Sequence, residues 1–246
     1  MATKRDPIVT KFSFNITGIS ARFAVVEFSA TEYMSSPFEV DLVLTTQEEI
    51  SFEEVVNLPA LLTISKANGA RYFHGMIDRF AYSGKSEDGL IYQTRLVPAF
   101  WLLALKHDCR VFQEASAPEI VQTVFAEHQL TSAVEFRLQK NYPTLEFCAQ
   151  YQESDFNFIS RLLEEEGIFY FFEHSRTRHK LVLADTRRSC QPFKEKHSVY
   201  YTPDVDVDTA PEGIYEFQFT QSMHSGKVTL KDYNFQYPGT NLTYYA

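Results

Sequence analysis

The sequence predicts a mainly β protein that carries an α+β segment, and three observations predict it. Period-two hydrophobicity dominates the first hundred residues, two capped helical patterns occupy the middle, and alternation returns toward the end. The composition agrees, with 22 Phe, 14 Tyr and 1 Trp among 246 residues against 9 Gly and 10 Pro. Phe and Tyr suit pleated, half-buried surfaces, and so little Gly and Pro excludes a collagen-like, linker-like or disordered chain. At this length, one large all-β domain or two ordinary domains can bury a sizeable core without disulfides.

The first alternation sets Phe12, Phe14 and Ile16 against Lys11, Ser13 and Asn15. Residues 22–33 make a second strand, and Phe38, Val40, Leu42 and Leu44 alternate with Glu39 and Asp41 in a third. Segments 60–65 and 71–82 flank Lys66-Ala67-Asn68-Gly69, whose Asn-Gly pair supplies the positive φ angles of a hairpin. A polar turn over 84–89 leads to a strand at 90–97, and five such antiparallel strands read as a small barrel or sandwich.

Near residue 99 the character changes to a short helix around Phe100, Trp101 and Leu103. Ser116 and Glu119 have capping-box spacing ahead of the apolar face Ile120, Val121, Val124 and Phe125. A second helix is capped at Ser154-Asp155, buries Phe158, Ile159, Leu162 and Leu163, and stops at Gly167. The unbroken run Ile168 to Phe172 reads as a strand covered on both faces, turning at Ser175–Arg178 to return as Leu181-Val182-Leu183. Strands resume at 199–201, 214–221 and 228–233, so the expected order is β over 1–105, an α+β insertion over 106–190, and β again over 191–246.

The formal charge is −9, which disfavours nucleic acid and anionic membrane surfaces as partners. No apolar run approaches the ~20 residues of a membrane span, and no signal peptide precedes the first strand, so cytoplasmic synthesis is expected. Cys109, Cys148 and Cys190 are odd in number and lack C-x-x-C spacing, which favours reduced, partly buried thiols. The seven histidines include no H-E-x-x-H, and no nucleophile elbow or phosphate loop is present, so no cofactor, metal or catalytic residue is assigned. Asp204, Asp206 and Asp208 open like a calcium loop but lack its glycine and glutamate, and read as a solvated loop. Glu164, Glu165 and Glu166 project about 100° apart around a helix, which suits a solvated or interface patch better than an acid/base pair. Residues 174–197 hold seven Lys or Arg against Asp185 and Glu195, a local +5 that suits an acidic partner, a second copy or plain solvation.

The run from Phe147 through Tyr151, Glu153, Ser154, Asp155, Phe158, Arg161, Leu162, Glu165 and Gly167 to His174, followed by Leu181–Asp185, resembles the signature of the VgrG spike proteins of type VI secretion systems. Arg110–Gln113 leading into Ser116–Val121, Phe73-His74-Gly75-Met76-Ile77, and Val228–Phe235 with Asp232 and Tyr233 resemble the same family. The resemblance implies an α+β, mainly β fold: a split antiparallel β-barrel with an inserted α+β domain, like a phage baseplate hub. It also implies a structural, non-enzymatic part of the cell-puncturing spike, a homotrimer seated on the hexameric tube protein among baseplate proteins. Such a part assembles in the cytoplasm and leaves through the apparatus without a signal peptide or stable membrane insertion. Family members are said to continue into a second barrel, an oligonucleotide-fold domain and a β-helix needle, whereas this sequence stops at Ala246, as a fragment or a short copy would. One barrel per chain would offer three of six tube contacts and dock weakly. The alternative readings are a phage-like tail hub and, more remotely, a cell-wall hydrolase using Glu164 or Glu166.

Overall fold

The computed structural model describes residues 11–66, 69–190, 201, 214, 216–223 and 225–245. Residues 1–192 form one compact unit and 193–246 a second.

In the first unit, β1 (Lys11–Ile16), β2 (Ala24–Thr31), β3 (Glu39–Thr46), β4 (Pro59–Lys66), β5 (Gly69–Ser86) and β6 (Gly89–Val97) form one antiparallel sheet in the order β1-β4-β5-β6-β3-β2. The alternation becomes burial directly: Val40, Leu42 and Leu44 are buried in β3 while Glu39 and Asp41 face solvent. The sheet curls until its outer strands meet at the bridge Phe14–Phe23, whose rings pack edge-on at 5.9 Å. Two register shifts in β5 add twist, and the extra residue at the first, Asp78, is chelated by Arg95. The polar turn expected over 84–89 is tighter than its composition implies, since pairing continues to Ser86 and Gly89.

Gly75, mid-strand in β5, marks a close approach. A Cβ there would lie 2.9 Å from the Val97 carbonyl oxygen and 3.3 Å from the Phe38 ring.

A 3₁₀ turn at Ala99–Ala104 leads into β7 (His107–Ser116), α1 (Ala117–Glu127), β8 (Val134–Arg137), β9 (Thr144–Ser154), α2 (Asp155–Glu165), β10 (Phe169–His174) and β11 (His179–Ala184). β7 and β9 pair as an antiparallel ribbon, and β10-β11-β8 form a three-stranded sheet in which β11 runs parallel to β8. A second core joins Ile120, Val124 and Phe125 of α1 to Phe158, Ile159 and Leu162 of α2 and to Leu181 and Leu183. β10 departs from the expectation of a strand covered on both faces. It is an edge strand in which Tyr170 is buried while Phe169 and Phe171 are half-buried and stack on each other at 6.4 Å. Its outer edge is satisfied by Ser35, whose N–H donates to the Tyr170 carbonyl and whose hydroxyl accepts from the Tyr170 N–H.

The barrel core and the second core are distinct but share one ring, Phe172, which packs against both.

In the second unit β12 (Thr229–Asp232) pairs antiparallel with β13 (Leu242–Tyr245), and Lys227 lies 4.3 Å from the Tyr245 ring. Of the strand expected over 214–221, Ile214 makes only an isolated bridge to Tyr201 and residues 216–221 carry no strand. Phe217 and Phe219 are 72% and 80% exposed, covered by no sheet among the described residues. The Asp204–Asp208 loop, Lys194 and Lys196 lie outside the described residues.

Candidate functional site

The signature segment builds α2 and its supports. Ser154 caps the helix, its hydroxyl accepting from the Asn157 N–H at 3.1 Å, and Asp155 in the first turn complements the helix dipole. At the other end Gly167 adopts φ +66°, with Gly167 N–H donating to the Glu164 carbonyl and Ile168 N–H to that of Leu163. That pair of bonds is the Schellman arrangement, which needs a residue tolerant of the left-handed region. The buried face is Phe158, Ile159, Leu162 and Leu163, with Phe158 stacked on Phe112 of β7 at 5.6 Å. Arg161 donates to Glu153 at 2.7 Å and to the Ala149 carbonyl at 3.2 Å, and stands 3.6 Å from Glu165.

Asp155 is the centre of this region, with no accessible surface. One carboxylate oxygen accepts from Arg110 Nη2 at 2.9 Å and Gln150 Nε2 at 2.8 Å, the other from His128 Nε2 at 2.6 Å, with Lys106 Nζ at 3.7 Å. Burial by itself raises the pKa of such a carboxyl. The hydrogen bonds from Gln150 and His128 and the charges of Arg110 and Lys106 outweigh it and hold Asp155 below its ordinary value. One side chain thereby ties α2 to β7, to β9 and to the end of α1. Arg110 and Gln150 fall in segments that carry the family resemblance, whereas Lys106 and His128 do not, and the spread from residue 106 to 150 hides that the four converge.

The ribbon that supplies Arg110 and Gln150 has a mixed pattern. Arg110 and Gln150 point inward to Asp155 alongside Phe112 and Cys148, while Val111, Phe147 and Tyr151 are exposed, Tyr151 at 73%. Cys109 and Cys190 are exposed and Cys148 is buried, so only one thiol matches the expected partial burial. Asp185 is buried and accepts from the N–H groups of Gln139 and Lys140 at 2.8 Å each and from the Tyr142 hydroxyl at 3.0 Å, pinning the loop after β8.

The remaining candidates do not converge on this centre. Asp232 and Tyr233 belong to the second unit, where the Tyr233 N–H donates to Asp232 Oδ1 at 2.7 Å and both residues are exposed. Glu164 and Glu165 are exposed on the helix surface and Glu166 is half-buried. Of the basic run, Arg176, Arg178, Arg187 and Arg188 are exposed, and Lys180 pairs with Glu135 at 2.7 Å. A 10 Å³ cavity lined by Ala99, Phe100, Phe172 and His179 has room for about one water. The arrangement around Asp155 serves to fix backbone elements rigidly; its hydrogen-bonding capacity is spent on its own neighbours.

The family model for the phage tail baseplate hub (GPD) matches residues 31–246. The chain belongs to this family. It is also 34% identical over 213 residues to the type VI secretion system spike protein VgrG1b of Pseudomonas aeruginosa, covering 86% of this chain and 29% of that protein. VgrG1a of the same organism is 35% identical over 213 residues, again 86% of this chain, and 33% of the relative is covered. The chain therefore spans about a third or less of the length of these relatives. A solved E. coli protein, described as a component of the type VI secretion system with structural similarity to the T4 bacteriophage tail proteins gp27 and gp5, superposes with a TM-score of 0.68 at 29% identity. That match covers 73% of this chain and 50% of the other. A Neisseria meningitidis tail protein shares the fold with a TM-score of 0.55 at 12% identity, covering 80% of this chain and 57% of the other. The hub fold is thus mainly β with a curled sheet, as the sequence leads one to expect.

Proposed function

We propose that this chain forms the base of a type VI secretion spike. Three copies close a ring that sits on the hexameric tube among baseplate proteins, and the ring acts mechanically, without catalysis. The observation that carries this reading is the identity of 34–35% to the Pseudomonas aeruginosa spike proteins across 86% of the chain. Membership of the hub family supports it, as does the structural likeness to the E. coli secretion component. A part that transmits the force of a contracting sheath needs stiffness, and two packed cores, the second of them cross-tied by Asp155, supply that. Assembly takes place in the cytoplasm, and export runs through the apparatus itself. The β1–β6 barrel, in three copies, offers three contacts to six tube subunits, so this region by itself docks weakly.

The phage-like tail hub shares the fold, but the tail protein from Neisseria meningitidis is only 12% identical, and the secretion reading is the better supported. A hydrolase using Glu164 or Glu166 has no comparable support. Sizing with light scattering tests the proposal: a trimer is expected at high micromolar concentration. Monomer throughout that range would remove the ring as a property of residues 1–246.

A further inference from the structure

Three histidines meet where the β10–β11 hairpin rests on the barrel, and their hydrogen bonds assign the proton on each ring. His179 of β11 is buried, and its Nε2 accepts from the Ala99 N–H at 3.0 Å, so its proton lies on Nδ1. That Nδ1 stands 3.1 Å from Nδ1 of His74 on β5, which must then be the acceptor. The His74 backbone N–H donates in turn to Nδ1 of His174 on β10 at 3.2 Å, which leaves the His174 proton on Nε2, 3.5 Å from the Glu32 carboxylate. Phe38 closes over the cluster, its ring 4.6 Å from His174 and 5.8 Å from His179, and Phe73 lies 5.4 Å from His174. The charged groups facing the cluster are Glu32, just past β2, and Arg71 of β5, which pair with each other. Glu32 is held below its ordinary value by His174 first, against its own burial, and then by Arg71.

In the rings of His179 and His74, the nitrogen that would take a second proton already accepts an N–H. A proton on His179 opposes the Ala99 N–H, and one on His74 opposes His179 Nδ1–H. We propose that this cluster is an acid-release latch: neutral, it fastens the β10–β11 hairpin to β5 and to the turn after β6, and protonated, it lets the insert part from the barrel while each keeps its own core. The separateness of the two cores, joined through Phe172, makes such a parting possible.

The direction of the linkage follows from burial. Burial pushes His179 down to about 3, helped by His74 and His174, and burial followed by His174 lowers His74. Opening restores ordinary imidazoles that bind protons near pH ~6.5, so the closed form is unaffected above neutrality and loses ground as the pH falls below that value. For His179 the loss continues toward pH 3, with the open-to-closed ratio rising up to about tenfold per pH unit.

Amide hydrogen exchange on the 246-residue chain, followed by NMR from pH 7.5 to 4.5 and corrected for intrinsic rates, tests the proposal. The amides of Ala99 and His74 report the two bonds directly. Their protection should fall by up to about tenfold per pH unit below ~6.5 for each histidine that takes a proton, while Leu44 of β3 and Val124 of α1 keep theirs. Fluorescence of Trp101, the sole tryptophan, should change in the same window. In the variant H179Q an amide oxygen can accept the Ala99 N–H without titrating, which should flatten the dependence at Ala99. Constant protection at Ala99 and His74 across the range would overturn the latch. So would loss at the same midpoint as Leu44 and Val124, or an unchanged slope at Ala99 in folded H179Q. The wild-type exchange profile decides the matter should that variant not fold.

Discussion

The barrel and the insert bury comparable aliphatic and aromatic cores, yet they treat polar groups differently. In the barrel the fully buried polar residues are Thr45, Thr46 and Thr94; the pair Arg79–Asp41 is exposed, and Arg95–Asp78, with a largely covered carboxylate, joins only the neighbouring strands β5 and β6. In the insert Asp155, Asp185, Gln150 and Ser154 are all buried and hydrogen-bonded. Closing a sheet satisfies the backbone of the barrel, so hydrophobic burial can do the rest. The insert joins helices, a ribbon and a small sheet whose mutual angles no ladder dictates, and a buried carboxylate with partners on several elements fixes them. The largest expected effect tests that difference. Asp155→Ala leaves Arg110, His128 and Gln150 facing an empty site, and urea titration should show a loss of about 3–5 kcal/mol. The contribution of Asp155 is also pH-dependent. Its folded pKa is depressed, so its stabilisation is complete above about pH 4, where the unfolded carboxyl is ionised, and is lost as the pH falls further. Asp155→Asn should abolish that acid limb of the stability profile.

Core truncations ask whether the two regions are equal in their apolar part. Leu44 and Leu162 are both essentially inaccessible, one in each core. Leu44→Ala and Leu162→Ala should each cost about 2–5 kcal/mol, the range set by how far each cavity can collapse. A Leu162→Ala loss well below that of Leu44→Ala, measured by thermal unfolding, would mean that the insert depends on its polar node more than on its packing.

The same contrast explains what could be read from the sequence. The barrel strands are legible mostly because they alternate between water and core, as Val40, Leu42 and Leu44 do against Glu39 and Asp41; β2, without a buried residue, is legible only from its Phe and Val content. The helices α1 and α2 are legible from their caps. β7 and β9 are not, since polar Arg110 and Gln150 face inward beside Phe112 and Cys148 while apolar Val111, Phe147 and Tyr151 face out, which blurs the alternation that marks a half-buried strand. Asp155 itself stands in the recognisable signature. Its partners lie up to 49 positions away, from Lys106 to Asp155, and only the fold assembles them. The histidine cluster is hidden for the same reason, with His74 and His179 separated by 105 positions.

Two glycines sharpen the comparison at a smaller scale. In the barrel, Gly75→Ala drives a methyl group to 2.9 Å from the Val97 carbonyl, a backbone atom that cannot step aside without moving β6, and a cost of about 1–3 kcal/mol is expected. In the insert, the nearest atom to a Cβ on Gly167 is Lys140 Nζ at 3.7 Å, so space is available and only the φ of +66° resists. Gly167→Ala should cost about 1–2 kcal/mol by chemical denaturation. Asn at 167, which tolerates that backbone region, should recover part of it, whereas Asn at 75 should not.

The smallest effects distinguish the two helix caps within the insert. Ser154 uses its hydroxyl as an acceptor for the Asn157 N–H, and Ser154→Ala orphans that donor at a buried helix end, for a loss of about 1 kcal/mol. Ser116 is arranged otherwise: the Glu119 carboxylate accepts from both the Ser116 N–H and its hydroxyl at 2.7 Å, and helix α1 begins at the surface. After Ser116→Ala the Glu119 bond to the backbone N–H remains, so the loss should be nearer 0.5 kcal/mol. Because that bond needs an ionised Glu119, whose pKa is lowered by the Ser116 hydroxyl and then its N–H, the small α1 contribution should fade on acidification through the carboxyl range. The Ser154 cap involves no titrating group in its own bond, and the difference between the two serine variants should therefore widen as the pH falls below about 4.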